Sequence, residues 1–134
     1  MKKMRDSIVR LHPYAWLWEP LAGEPSFILK SMFGAKAVYL RGQIMLCFMA
    51  KEPPWQGVLI CTDRERHAAL QRDFPSAKPH PILPKWLYLE DSADDFDRQA
   101  ERLVQLIAAR DERIGVVPEE KRARRPRNPR GWDG

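Results

Sequence analysis

The stretch that decides the fold is residues 27–61, FILKSMFGAKAVYLRGQIMLCFMAKEPPWQGVLIC. Its apolar residues recur with the period of a strand, and the runs break at glycine and proline. Phe27 to Met32 reads as a first strand, Phe33-Gly34 as a turn, and Lys36 to Leu40 as a second strand. Arg41-Gly42 is a two-residue hairpin signal, because glycine readily supplies the positive φ that such turns need. Gln43 to Met49 follows as a third strand. Strict alternation puts Ile44, Leu46 and Phe48 on one face and Met45, Cys47 and Met49 on the other. Both sets are apolar, which predicts a central strand covered on both sides. Lys51 to Gly57 reads as a loop, since consecutive prolines cannot join a ladder, and Val58 to Cys61 as a fourth strand.

Outward from this core, Thr62-Asp63-Arg64-Glu65 matches a capping box and predicts a helix to about Asp73, with Ala68, Ala69 and Phe74 inward. Residues 75–84 carry four prolines and read as an extended loop. Lys85 to Leu89 is a fifth strand. Ser92 caps the longest helix, and Asp94, Asp95 and Asp97 sit at its start, where the helix dipole favours negative charge. Phe96, Ala100, Leu103, Val104 and Ile107 fall on one face of it, and Gly115 and Pro118 mark its end. Upstream, the segment from Asp6 to Leu21 holds Ile8, Val9, Leu11 and several aromatic residues. Pro13 and Pro20 limit its helix to about Tyr14–Leu21. No repeat is present at any period from about 20 to 50 residues. The order α-β-β-β-β-α-β-α predicts an α+β fold, a mostly antiparallel five-stranded sheet with helices packed on it.

The 134 residues, 44% of them hydrophobic and five of them tryptophan, suit one domain with a real core. No apolar run approaches the roughly 20 residues needed to span a bilayer. Met1-Lys2-Lys3-Met4-Arg5 is charged like the start of a signal peptide but lacks the apolar stretch that should follow. A cytoplasmic protein without a membrane partner is expected. Cys47 and Cys61 lie inside apolar strands and read as buried, reduced thiols, with a disulfide between neighbouring strands as the alternative.

Charge divides the chain into a domain, 1–117, and a basic Arg/Pro-rich tail, 118–134. Lys121, Arg122, Arg124, Arg125, Arg127 and Arg130 of the tail are opposed by Glu119, Glu120 and Asp133, which leaves only +2 of the formal +5 for the domain. Arginine pairs with phosphate through two parallel hydrogen bonds, and proline keeps a backbone extended enough to follow a groove. These six residues are the candidate nucleic-acid contacts. The alternative is a tail that only solubilises.

No catalytic apparatus is readable. His12, His67 and His80 stand apart, with no metal-ligand spacing, His67 on a helix surface and His80 in a polyproline-like loop. Neither a Gly-rich phosphate loop nor a serine nucleophile elbow occurs, and neither cysteine has a neighbouring base in the sequence. A protein without catalytic residues, cofactor or metal is expected. Trp16, Trp18, Trp55 and Trp86 either line a ligand groove or serve to pack the core or anchor loops, and core packing or loop anchoring is the favoured reading.

Met32-Phe33-Gly34, then Tyr39, then Gly42 and an apolar strand, resembles the opening of the TfoX N-terminal domain family. The strand and basic, Ala-rich helix of Val58 to Asp73 resemble the related YjbR/MmcQ-like proteins. So does Leu83-Pro84-Lys85-Trp86 ahead of the last strand and helix. The likeness spans about Phe27 to Arg113. It departs at Ala35-Lys36-Ala37, where the family has a Gly-rich stretch, and it includes neither Met1–Pro25 nor the tail. The resemblance implies a small α/β domain without catalytic residues, tied to regulation of competence or to DNA binding. No functional residue carries over.

Three readings follow. The first is a non-catalytic regulatory or adaptor domain of TfoX/YjbR-like type, contacting nucleic acid through its tail. The second is a protein–protein interaction module, self-associating or recruiting a partner. The third, small-molecule binding between the sheet and Trp16 or Trp55, requires a deep apolar pocket.

Overall fold

The computed structural model describes residues 12–32 and 34–118. Ile8, Val9 and Leu11, Phe33 of the first turn, and the basic tail from residue 119 onward lie outside the described residues. Helix α1 spans Ala15–Trp18 and tightens into a 3₁₀ turn over Glu19–Leu21, where Pro20 has no amide to continue the α pattern. The strands are β1 (Ile28–Met32), β2 (Ala35–Leu40), β3 (Gln43–Ala50) and β4 (Gln56–Ile60). After a 3₁₀ turn at Arg64–Arg66 come α2 (His67–Asp73), β5 (Lys78–Pro79), β6 (Leu87–Glu90) and α3 (Phe96–Ala108). The sheet is open, with order β1-β2-β3-β4-β6-β5 and every pair antiparallel. No helix among the described residues is long and apolar enough to cross a membrane.

The α+β class and the antiparallel sheet match the expectation, but the sheet has six strands rather than five. The extra strand, β5, falls inside the proline-rich stretch read as a loop. Lys78 and Pro79 pair with Tyr88 and Leu87 on the outer edge of β6, where a missing amide is tolerated.

The β2–β3 hairpin turns at Arg41 (φ 53) and Gly42 (φ 78), the two positive values of a type I′ turn. Arginine tolerates this because the Ser26 hydroxyl accepts its amide at 2.9 Å and Glu24 takes its guanidinium at 2.8 Å. The Ser26 hydroxyl and then Arg41 hold the Glu24 carboxyl below its usual range.

Strand β3 does not alternate as expected. Val38 pairs with Leu46 but Tyr39 pairs with Ile44, so Met45 is the extra residue of a bulge. The bulge shifts the phase, and Met45 joins Leu46 and Phe48 on one face while Ile44, Cys47 and Met49 take the other. Periodicity cannot detect this, because both faces are apolar.

Both expected helix caps are replaced by other bonds. Thr62 donates to the carbonyl of Arg113 at 2.7 Å instead of capping a helix. Ser92 donates to Glu90 at 2.7 Å, and α3 begins only at Phe96 after Asp95 in the left-handed region. The helix then ends with Asp111 donating to Leu106 and Arg110 (φ 64) to Ile107, the paired bonds of a Schellman motif.

All three helices cover one face of the sheet. Leu17, Trp18, Leu46, Phe48, Ile60, Leu70, Phe74, Leu89, Leu103 and Ile107 are buried there in one cluster. Burying each large side chain contributes about 1.5–3 kcal/mol. The chain after α3 is pinned by Arg113, which bonds Asp111 at 2.8 Å, Asp73 at 3.0 Å and the Ala69 carbonyl at 3.2 Å. Gly115 then donates to Cys61, and Val116 exchanges both backbone bonds with Ile44. Val116 thereby bridges β3 and packs its side chain on the second face, against which no helix of the described residues packs.

Candidate functional site

Among the described residues helices cover one side of the sheet, and the second face is left to side chains from strands, loops and the segment after α3. Across its centre runs the paired row Ala37–Cys47–Leu59–Tyr88. Alanine and cysteine are short, so the floor is low there while Trp55 and Trp86 stand up at the rim. The result is an apolar cavity of about 530 Å³. Ala35, Cys47, Met49 and Leu59 belong to its floor. Its walls come from three separate places: Met32 and Gly34 at the β1–β2 turn, Trp55 in the β3–β4 loop, and Leu83 and Trp86 ahead of β6. Among the described residues that line it, Lys51 is the one that is charged. A smaller hollow of about 340 Å³ adjoins it, sharing Met32 and Trp86 and bounded by Val116, Val117 and Pro118.

His80 holds two of these walls together. Its Nδ1 accepts the amides of Ile82 (3.0 Å) and Leu83 (3.1 Å), which assigns the ring proton to Nε2, donated to the Pro54 carbonyl at 2.7 Å. The ring is fully buried, 4.4 Å from Trp55 and 5.2 Å from Tyr88 between centroids. Its own amide donates to the carbonyl of Trp86. The loop carrying Leu83 and Trp86 is therefore bolted to the loop carrying Trp55. The Tyr88 hydroxyl extends this scaffold, donating to the Gln56 carbonyl (2.8 Å) and accepting its amide (3.1 Å). Burial first pushes the Tyr88 phenol up, so it stays protonated and able to donate.

The two thiols are free and buried on this face. Burial, then the neighbouring Cys47, pushes the Cys61 thiol up, the reverse of what activates a nucleophile. Among the described residues no three His, Cys, Asp or Glu side chains converge as a metal site would need. On the helix side, Tyr14 donates to Asp91 at 2.6 Å and Gln56 to the same carboxylate oxygen at 3.0 Å. Burial and then the bond to Asp91 raise the Tyr14 phenol, a tie between α1 and the start of β4.

Of the four tryptophans read as groove or core, Trp18 packs 5.4 Å from Phe48 in the helix-side core, and Trp16 lies half-buried against that core. Trp55 and Trp86 line the cavity. His80 is a buried clamp rather than part of a polyproline-like loop. His67 does lie at a helix start, half-buried and bonding the Lys85 carbonyl at 2.8 Å. The six tail candidates, Lys121, Arg122, Arg124, Arg125, Arg127 and Arg130, lie outside the described residues. Sequence reasoning missed Lys51, Leu83 and the short floor residues. The available signal was a run of small residues, Ala35, Ala37 and Cys47, on paired strands between two tryptophans.

Compared with protein-family models, with curated proteins and with solved structures, the chain matches none.

Proposed function

We propose that this chain is a non-catalytic regulatory domain, of the TfoX/YjbR-like type its sequence resembles, that receives a small apolar molecule on its second sheet face. The observation that carries the reading is the cavity, whose volume of about 530 Å³ and nearly uncharged lining suit a ligand site. The ligand would bridge β3, the β1–β2 turn and the loop before β6, and so report its presence as altered rim order. The test is titration with Nile red, a neutral dye that brightens in apolar surroundings. Saturable binding is expected to the unaltered chain. Ala35→Trp, at a half-exposed floor position, should fill the space and weaken binding at least about tenfold while the fold persists. Equal binding by both proteins would place the dye elsewhere and end the reading.

The basic tail favours a second activity beside the first, contact with nucleic acid. It rests on six cations concentrated after Pro118. If all six meet phosphates on duplex DNA, the slope of log affinity against log salt approaches about −5. A chain ending at Val117 should lose that slope. Equal, weak binding by both lengths leaves the tail without this role.

A further inference from the structure

We propose that the cavity selects a hydrophobic acid, an apolar body ending in one carboxylate, and that Lys51 is the residue that recognises the charge. The inference rests on the cavity being a ligand site, and it adds the chemistry of the ligand. Among the described residues Lys51 is the one charged side chain in a lining otherwise made of methionine, leucine, tryptophan, cysteine, alanine and glycine. It is exposed, at the rim rather than the floor, so its ammonium remains hydrated until a ligand end reaches it. Among the described residues no carboxylate forms an ion pair with it.

Its place is set by backbone shape. Gly34 has φ +82, and a Cβ built there would stand 2.5 Å from Lys51 Cε and 2.8 Å from Nζ. The lysine stem therefore lies across the bare α-carbon of Gly34 at the cavity mouth. A side chain at that position would evict it. A stem laid along apolar surface with its charged head at the edge is how lysine serves both environments at once. An apolar molecule filling the cavity places its end at this rim, and a negative end gains a charge-assisted hydrogen bond that a neutral one lacks. A positive end would meet like charge.

The experiment displaces Nile red from the full chain with decanoate and with decanol at neutral pH, chains of equal length differing in charge. Decanoate should displace the dye at lower concentration than decanol. Lys51→Met keeps the stem and removes the charge, and should weaken decanoate about five- to tenfold while leaving decanol within about twofold. Lys51→Arg should restore the preference. The selection is overturned if decanol binds as well as decanoate to the unaltered chain, or if Lys51→Met weakens both alike. If neither compound displaces the dye and Ala35→Trp also leaves dye binding unchanged, the cavity itself is not the site and both readings fall.

Discussion

Replacing Gly57 by alanine is expected to lower folding stability by about 3–5 kcal/mol in urea unfolding, enough to leave much of a marginal domain unfolded. Gly57 pairs with Met49 on β3 and Glu90 on β6, inside the sheet. Its φ of +138 is a value that side-chain-bearing residues rarely adopt. A Cβ there would collide with the carbonyl of Leu89 and stand 2.9 Å from the amide of Asp91. Both obstacles are backbone, so neither can swing aside, and the strands themselves would have to part. Gly23 supplies the control, since a Cβ there meets nothing within 4 Å. Gly23→Ala should leave stability unchanged within about 1 kcal/mol. Equal unfolding midpoints for the two variants would show that the close approach at Gly57 carries no energetic weight.

The same glycine shows where reading the sequence stops. Gly57 read as the end of a loop because Pro53, Pro54 and the glycine itself all break strands in general. The strand starts at Gln56 because Asp91 donates to its carbonyl and the Tyr88 hydroxyl holds its amide. Those partners are 35 and 32 residues away. Local chemistry alone could not indicate them. The elements that were legible had their causes nearby: the Arg41-Gly42 hairpin, and α3, whose five inward residues share one helical face. Thr62 is the opposite case. Its neighbours match a capping box, yet its hydroxyl goes to Arg113, 51 residues on, because the strap after α3 brings a carbonyl within reach.

The candidate site was less legible still, since a cavity arises from relations between elements. Trp55 and Trp86 are 31 positions apart in the chain and line one cavity because β4 and β6 pair and His80 ties their loops together. An apolar β3 implies cover on both faces, and Ile44, Cys47 and Met49 are buried on the second face too, by side chains such as Trp55 and Trp86 rather than by a helix of the described residues. There Ala35, Ala37 and Cys47 are short, which leaves space beside the rim residues packed around them, and among the described residues no helix joins that cluster. The bulge at Met45 contributes, because it turns Cys47 rather than Leu46 toward this side. Three leucine-sized residues in that row would close much of the space.

His80→Ala is expected to lower stability by about 2–4 kcal/mol and to abolish dye binding in the cavity together with it. The loss has two parts. Removing the imidazole takes the partner from the Pro54 carbonyl and from the amides of Ile82 and Leu83, three part-buried backbone groups that only water could then satisfy. It also removes a ring packed between Trp55 and Tyr88. The two walls would then move independently, and Leu83 and Trp86 would no longer face Trp55 across a fixed gap. Amide hydrogen exchange separates this from general loosening. In His80→Ala the amides of Ile82 and Leu83 should exchange far faster, while those of Leu46 and Phe48 in the central strand speed up only as far as the lost global stability dictates. His80→Asn tests the geometry further. Its side-chain oxygen can accept from the two amides but is too short to reach Pro54 as well, so it should recover protection at Ile82 and Leu83 without recovering full dye affinity. If His80→Ala keeps both its unfolding midpoint and those two protected amides, the loops are positioned by something other than this ring. The cavity's shape would then have to be traced to the β6 pairing alone.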